Sequence, residues 1–163
     1  MGEIKKYELT AETKVNFLGK TLFRIKALVS FGTVKAGELG GWIEKEENLN
    51  QSGDAWVSGN ALVYGNARVS GDAWVYGNAE VSGNAWVYGN ADYSVVQGFG
   101  TCFRSTTFFR CKDKEIRVAC GCFFGTLAEF RKQVEKTREG KVAKEYLMIA
   151  DLMELHFAES EGK

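Results

Sequence analysis

GDAWVS GNALVY GNARVS GDAWVY GNAEVS GNAWVY GNADYS: residues 53–94 are seven consecutive six-residue units that differ at few positions. Self-similarity at a fixed short period marks an architecture of stacked, equivalent pieces. Rephased from Val57, the unit is Val, Ser or Tyr, Gly, Asn or Asp, Ala, and one variable residue. Val57, Val63, Val69, Val75, Val81 and Val87 recur as the single branched apolar position and are expected to point inward. Ala61, Ala67, Ala73, Ala79, Ala85 and Ala91 mark a site with room for a methyl group alone. Gly followed by Asn or Asp supplies a corner, where the backbone takes positive φ.

This Val-(Ser/Tyr)-Gly-(Asn/Asp)-Ala pattern resembles the hexapeptide-repeat family. The resemblance implies a left-handed parallel β-helix of triangular cross-section, one hexad to a side and three to a coil. Coils then stack at about 4.8 Å, so seven hexads make a prism roughly 10–12 Å tall, which needs capping segments or neighbouring subunits. In that fold residues 18 apart share a column. Trp56 lies on Trp74, Leu62 on Glu80, and Arg68 on Trp86, an arrangement suited to a cation–π contact. Tyr64, Tyr76 and Tyr88 alternate with serines, so no tyrosine stacks on another. The variable residues and tyrosines are expected to point outward. That is more aromatic surface than an isolated monomer leaves bare. It reads as a homo-oligomer interface, as packing under the chain's own termini, or as a ligand site. Family members most often trimerise through their prism sides, so a trimer is the implied assembly.

The flanks divide the chain into an N-terminal β cap (1–52), the β-helix (53–94) and a C-terminal β-hairpin with two helices (95–163); the fold class is mainly β with C-terminal helices. Thr21 to Phe31 has strand-like alternation. Gly37 and the Gly40–Gly41 pair read as turns, and Glu44 to Gln51 as a degenerate first hexad. Thr106–Lys112 and Glu115–Phe124 read as a hairpin turning at Asp113–Lys114. Thr126 and Glu129 form a capping box that opens a helix. Gly140 ends it, and a second helix, apolar on more than one face, follows from Val142 to Phe157. The phrases GELGGWIEKEENL, TTFFRCKDKEIRV, CGCFFGTLAEF and KEYLMIADLMELHF resemble hexapeptide-repeat proteins of bacteriophages and prophages. That likeness implies a mobile-element origin, and by association host takeover or counter-defence. It transfers no catalytic residue.

Composition narrows the chemistry. The 163 residues carry 21 basic and 21 acidic side chains, 19 glycines and no proline. No global charge points to nucleic acid or membrane, and no run approaches the roughly 18 apolar residues of a membrane span. The polar start, Met1 to Lys6, reads as no signal peptide. With four cysteines it suggests a reducing cytoplasm, that of the host if the chain is phage-encoded. Cys102, Cys111, Cys120 and Cys122 lack zinc-knuckle spacing and read as buried thiols, although Cys111 opposite Cys120 and Cys122 could be imagined as a metal site. Acyltransferases of the hexapeptide family carry a histidine at a subunit interface. Here the single histidine is His156, on the last helix, and the hexads have no insertion. Asp54, Asp72 and Asn90 form a column of polar corners.

The sequence therefore leads to a non-enzymatic, oligomeric binding protein without a cofactor or metal. Its candidate contact residues are Trp56, Arg68, Trp74, Trp86, Tyr64, Tyr76 and Tyr88 on the hexads and Arg104, Arg110 and Lys112 on the hairpin. Basic side chains among aromatics suit a small anionic, nucleotide-like molecule better than a long polyanion. A host protein as partner, a structural assembly element and an acyltransferase remain as other readings.

Overall fold

A computed structural model describes residues 4–16, 18–89, 92–99, 105–120 and 123–158. In chain order the elements are β1 (Tyr7–Val15), β2 (Thr21–Ala27), β3 (Leu39–Ile43), a 3₁₀ turn (Glu46–Asn48), β4 (Trp56–Val57), β5 (Leu62–Val63), β6 (Arg68–Val69), β7 (Trp74–Val75), β8 (Glu80–Val81) and β9 (Trp86–Val87). There follow β10 (Tyr93–Val96), β11 (Thr106–Arg110), β12 (Ile116–Cys120), β13 (Phe123–Thr126), α1 (Leu127–Thr137) and α2 (Gly140–Phe157). The described chain is mainly β with two C-terminal helices. None of its helices is long and apolar enough to cross a membrane.

Each of the first six hexads contributes one two-residue strand, and the strands pair in parallel with the hexad three units on. Trp56 faces Trp74, Leu62 faces Glu80 and Arg68 faces Trp86. After Val57, Val63 and Val69 the next amide donates to the valine carbonyl of the next layer: Ser58 to Val75 at 2.8 Å, Tyr64 to Val81 at 3.0 Å and Ser70 to Val87 at 2.9 Å. The six repeat valines and the alanines from Ala55 to Ala85 are buried in one continuous core. Corners run through glycines at positive φ. At Gly71 (φ 63°) an added Cβ would stand 2.4 Å from Tyr88 O, so the next layer leaves no room for a side chain.

The N-terminal segment joins this stack rather than only covering it. Ile43 pairs with Val63 and Leu49 bridges to Val69, both in parallel. Here the offset is 20 residues rather than 18: Ile43 to Leu49 keeps the six-residue step through the 3₁₀ turn, and the two extra residues lie between Leu49 and Val57. Gly40 and Gly41, expected in a turn, lie inside β3. Their glycine identity reflects close approach: a Cβ on Gly40 would meet Val57 O at 2.6 Å, and one on Gly41 would meet Val57 Cγ1 at 2.8 Å. β1 and β2 continue the sheet outward as an antiparallel pair.

The seventh hexad departs from the pattern. Tyr93 takes the valine position, and its hydroxyl donates to the Trp74 carbonyl. It then opens β10, the edge of a four-stranded antiparallel sheet, β10–β11–β12–β13. The expected hairpin is its centre, with Thr106 opposite Cys120 and Arg110 opposite Ile116. The sequence reading missed β10, and it ran Phe123 and Phe124 on from β12 instead of returning them as β13. Strand alternation gives this sheet two apolar faces. Phe109, Cys111 and Ala119 join the core of the parallel ladder, whereas Phe108 and Val118 pack on the helices.

The capping box forms: Glu129 N donates to Thr126 Oγ1 at 3.1 Å, and Thr126 N to Glu129 Oε1 at 2.8 Å. α1 ends at Thr137, and Gly140, expected as the stop of that helix, is instead the first residue of α2 at φ 65°. α2 buries Tyr146, Ile149, Ala150, Met153 and Phe157. Its opposite face, expected under cover, carries exposed Met148, Leu152 and Leu155.

Candidate functional site

The side of the stack formed by β6 and β9 opens into a groove. Its first part is a cavity of about 480 Å³ lined by Lys45, Glu47, Asn66, Arg68, Asn84, Trp86 and Lys112, among others. Its second part, of about 500 Å³, shares Glu47, Arg68 and Trp86 with the first and adds Asn50, Ser70 and Tyr88. Three segments deliver the charged groups. Arg68 comes from β6, in register with Trp86 on β9. Lys112 follows β11, where its amide donates to Asn84 O at 2.8 Å and fastens the hairpin end to a solenoid corner. Lys45 precedes the 3₁₀ turn, and its ammonium reaches Asn66 Oδ1 at 3.5 Å.

Asn48 sets the backbone of that last segment. It is fully buried. Its Oδ1 accepts from the amides of Glu44 (3.1 Å) and Lys45 (3.0 Å). Its Nδ2 donates to Gly65 O (3.2 Å) and Ala67 O (2.9 Å), so it joins the N-terminal layer to the corner between β5 and β6. Lys45, Glu47 and Asn48 were absent from the sequence reading. Their only signal was the degenerate hexad in which they sit.

The aromatic part of the groove is a Trp86–Tyr88 edge-to-face pair, centroids 5.4 Å apart and planes at 64°. Lys112 Nζ lies 5.7 Å from the Trp86 ring centroid. The cation over Trp86 is thus Lys112, not the Arg68 that the 18-residue column suggested. Arg68 lies beside Trp86 in the ladder and is exposed. Three cations, Lys45, Arg68 and Lys112, against Glu46 and Glu47 leave the groove net positive. An indole face with exposed cations beside it can stack a planar group and pair with an anion.

The other candidates are elsewhere. Trp56, expected to point outward into a contact site, is fully buried. Tyr7 and Phe31 pack edge-on against it at 6.4 and 5.3 Å, so the chain's own N-terminal segment covers it. Tyr64 is also buried, against Leu22 and Trp42. Its hydroxyl donates to the Glu80 carboxylate. Burial, the hydrogen bond and the charge of Glu80 together push that phenol well above its ordinary pKa. Trp74 is half-buried. Tyr76 is exposed and edge-on to Tyr93. Arg110, grouped with Trp86 in the sequence reading, serves the helices: it pairs with Asp92 at 3.2 Å and donates to Phe157 O at 3.2 Å. Strand alternation explains the correction, because β11 turns Arg110 to the helical side of the sheet. Arg104 lies outside the described residues.

Of the cysteines, Cys102 and Cys122 lie outside the described residues, as do Asn90 and Ala91 of the repeat. Cys111 faces the solenoid core and Cys120 packs on the helical core, so the two are on opposite faces of the sheet rather than opposed across it. Burial raises the Cys111 thiol to about 11. Among the described residues no group of three His, Cys, Asp or Glu could hold a metal ion. His156 is exposed, its ring edge-on to Phe157.

Residues 55–71, 63–77 and 73–89 match the family model described as YdcK Beta solenoid repeat. The hexads are therefore similar to a β-solenoid repeat. The match lies within the stretch that forms the parallel columns and stops short of Tyr93, where the chain leaves the solenoid ladder. No curated protein matches the chain. The solenoid likeness concerns the scaffold and is silent on what the groove holds.

Proposed function

We propose that this protein is a non-enzymatic binding protein that sequesters a small anionic, nucleotide-like molecule in the groove between β6, β9 and the end of β11. One observation carries the reading: Arg68, Lys112 and Lys45 come from three segments to line one cavity with Trp86. The ring of the ligand stacks on Trp86. Its phosphate or carboxylate lies between Arg68 and Lys112, and Asn66 and Asn84 offer further hydrogen bonds. No nucleophile or general base is needed for holding such a molecule, and His156 sits on α2, away from the groove lining.

The scaffold in this proposal is a left-handed β-helix of hexapeptide type. Support comes from the Val-(Ser/Tyr)-Gly-(Asn/Asp)-Ala unit, the 18-residue parallel register and the positive φ at successive corner glycines. The resemblance of the flanks to phage and prophage proteins gives sequestration a purpose, the removal of a host defence signal in the host cytoplasm. The protein acts as a homo-oligomer in this account.

Isothermal titration calorimetry with a panel of nucleoside mono- and diphosphates tests the site. Binding should weaken with added salt, as for any solvent-accessible ion pair, and should be lost in Arg68→Ala/Lys112→Ala. Heat from acetyl-coenzyme A alone, with turnover lost in His156→Ala, would favour the acyltransferase reading instead. No heat from any nucleotide would overturn the proposal.

A further inference from the structure

Among the described residues, α2 carries a stripe of exposed apolar side chains. Met148, Leu152 and Leu155 are 70%, 56% and 74% exposed. Their spacing of four and then three residues is that of a coiled-coil seam. The opposite face, with Tyr146, Ile149, Ala150, Met153 and Phe157, packs on α1 and the four-stranded sheet. The prism sides, where the hexad pattern implied self-association, have less to offer, because Trp56 and Tyr64 are already covered by the N-terminal segment.

We infer that the α2 stripe is the contact surface for a second copy of this chain, packed antiparallel about a two-fold axis. Charge complementarity selects this occupant. The exposed cations of α2, Lys141 and Lys144, are in its first two turns together with the half-buried Glu145, and its exposed carboxylates Asp151 and Glu154 are in its second half. Antiparallel packing that sets Met148 against the partner's Leu152 brings Lys144 beside the partner's Glu154, twice over by symmetry. A parallel pair would oppose like charges. It would also align the two helix dipoles, which antiparallel packing sets in opposition. Arg131 already holds Asp151 and Glu154, each at 2.9 Å, while both carboxylates stay largely exposed at 75% and 67%. They are thus ordered and still reachable. The same carboxylates disfavour an anionic lipid surface. One helix face is smaller than the roughly 800 Å² per partner of a stable interface. The dimer is therefore weak and concentration-dependent, and no residue lining the groove lies on α2.

Sedimentation velocity of the full chain over a concentration series tests this. The expected result is a concentration-dependent shift from the 18.1 kDa chain to twice that mass. Leu152→Glu should weaken the dimer by about a hundredfold, with an unchanged circular dichroism spectrum and melting temperature. Lys144→Glu and Glu154→Lys should each weaken it about tenfold, and the two together should restore it. A monomer at all concentrations, a trimer, a dimer indifferent to Leu152→Glu, or single charge reversals without rescue would overturn the inference. So would flotation of the wild type, but not of Leu152→Glu, with phosphatidylcholine–phosphatidylglycerol vesicles. The inference stands apart from the groove: a monomer that binds nucleotide refutes the α2 surface alone, and a dimer that binds none refutes the ligand reading alone.

Discussion

Lys112 Nζ stands 5.7 Å from the centroid of the Trp86 indole, although 26 residues of chain separate the two. The contact exists because the hairpin end is fastened to the solenoid corner below it, through the Lys112 amide on Asn84 O. A repeat that by itself presents one cation, Arg68, thereby acquires a second from the C-terminal sheet. Lys45, from the N-terminal layer, supplies a third. The groove is thus built from all three regions of the chain.

If Lys112 contributes a charge and not merely a strand end, Lys112→Ala should weaken nucleotide binding about tenfold and Lys112→Arg should preserve it. Quenching of Trp86 fluorescence on titration reads this directly, with Trp86→Phe as the control that removes the signal. Equal binding by Lys112→Ala and wild type would remove Lys112 from the site.

Asn48 joins two layers through four hydrogen bonds in a fully buried position. Asn48→Ala leaves two amides and two carbonyls without that partner, and should cost about 3–5 kcal/mol. Urea denaturation measures it. A loss under about 1 kcal/mol would show that the N-terminal layer repacks without it.

Two corner glycines with nearly equal backbone angles should respond differently to alanine. Gly71 has φ 63° and Gly77 φ 65°. At Gly71 the new Cβ meets Tyr88 O at 2.4 Å, whereas at Gly77 nothing lies within 4 Å. Gly77→Ala should cost about 1–2 kcal/mol, the left-handed backbone penalty alone. Gly71→Ala should cost well above that. Equal shifts in thermal midpoint would mean that backbone handedness, not interlayer contact, fixes the corner.

Burial lowers the Lys6 ammonium to about 8, partly opposed by the nearby charge of Asp54. Its Nζ donates to Ala55 O at 2.7 Å, under the ring of Phe31. A depressed lysine pKa means that the unfolded chain binds more protons between about pH 8 and the ordinary lysine value near 10.4. Folding stability should therefore rise with pH from about 8. Cys111 acts the other way from about pH 9, since burial raises its thiol to about 11. Tyr7, Tyr64 and Tyr93 do so above pH 10, because burial raises all three phenols and unfolding is favoured once the free phenol ionises. Urea midpoints should rise from about pH 8, level off near pH 9 and fall above about pH 10. Lys6→Met should abolish the rise and leave the fall. A flat profile in the wild type would contradict it.

The parallel ladder of the hexads was legible because its determinants are local and repeated. One valine, one alanine and one glycine per hexad fix the strand, the narrow site and the corner, and the pairs Trp56–Trp74 and Arg68–Trp86 follow from the hexapeptide period. The fate of the outward side chains was not legible. Whether Trp56 is covered depends on where Tyr7 and Phe31 return, some 25 to 50 residues away in sequence. Gly40 and Gly41 misled for a related reason: glycine signals a turn by local preference, but here it answers to Val57 in the neighbouring layer. Arg110 and Lys112 were inseparable in sequence, and the end of β11 sends one to the helices and the other to the groove.

The central claim is that the groove of Arg68, Trp86 and Lys112 holds a small anionic, ring-bearing molecule. Native mass spectrometry of the purified protein, alone and with a panel of nucleotides, tests it most directly. The account predicts one added nucleotide mass per chain in the wild type and none in Arg68→Ala/Lys112→Ala. No adduct with any nucleotide, or the same adduct in both proteins, would contradict it.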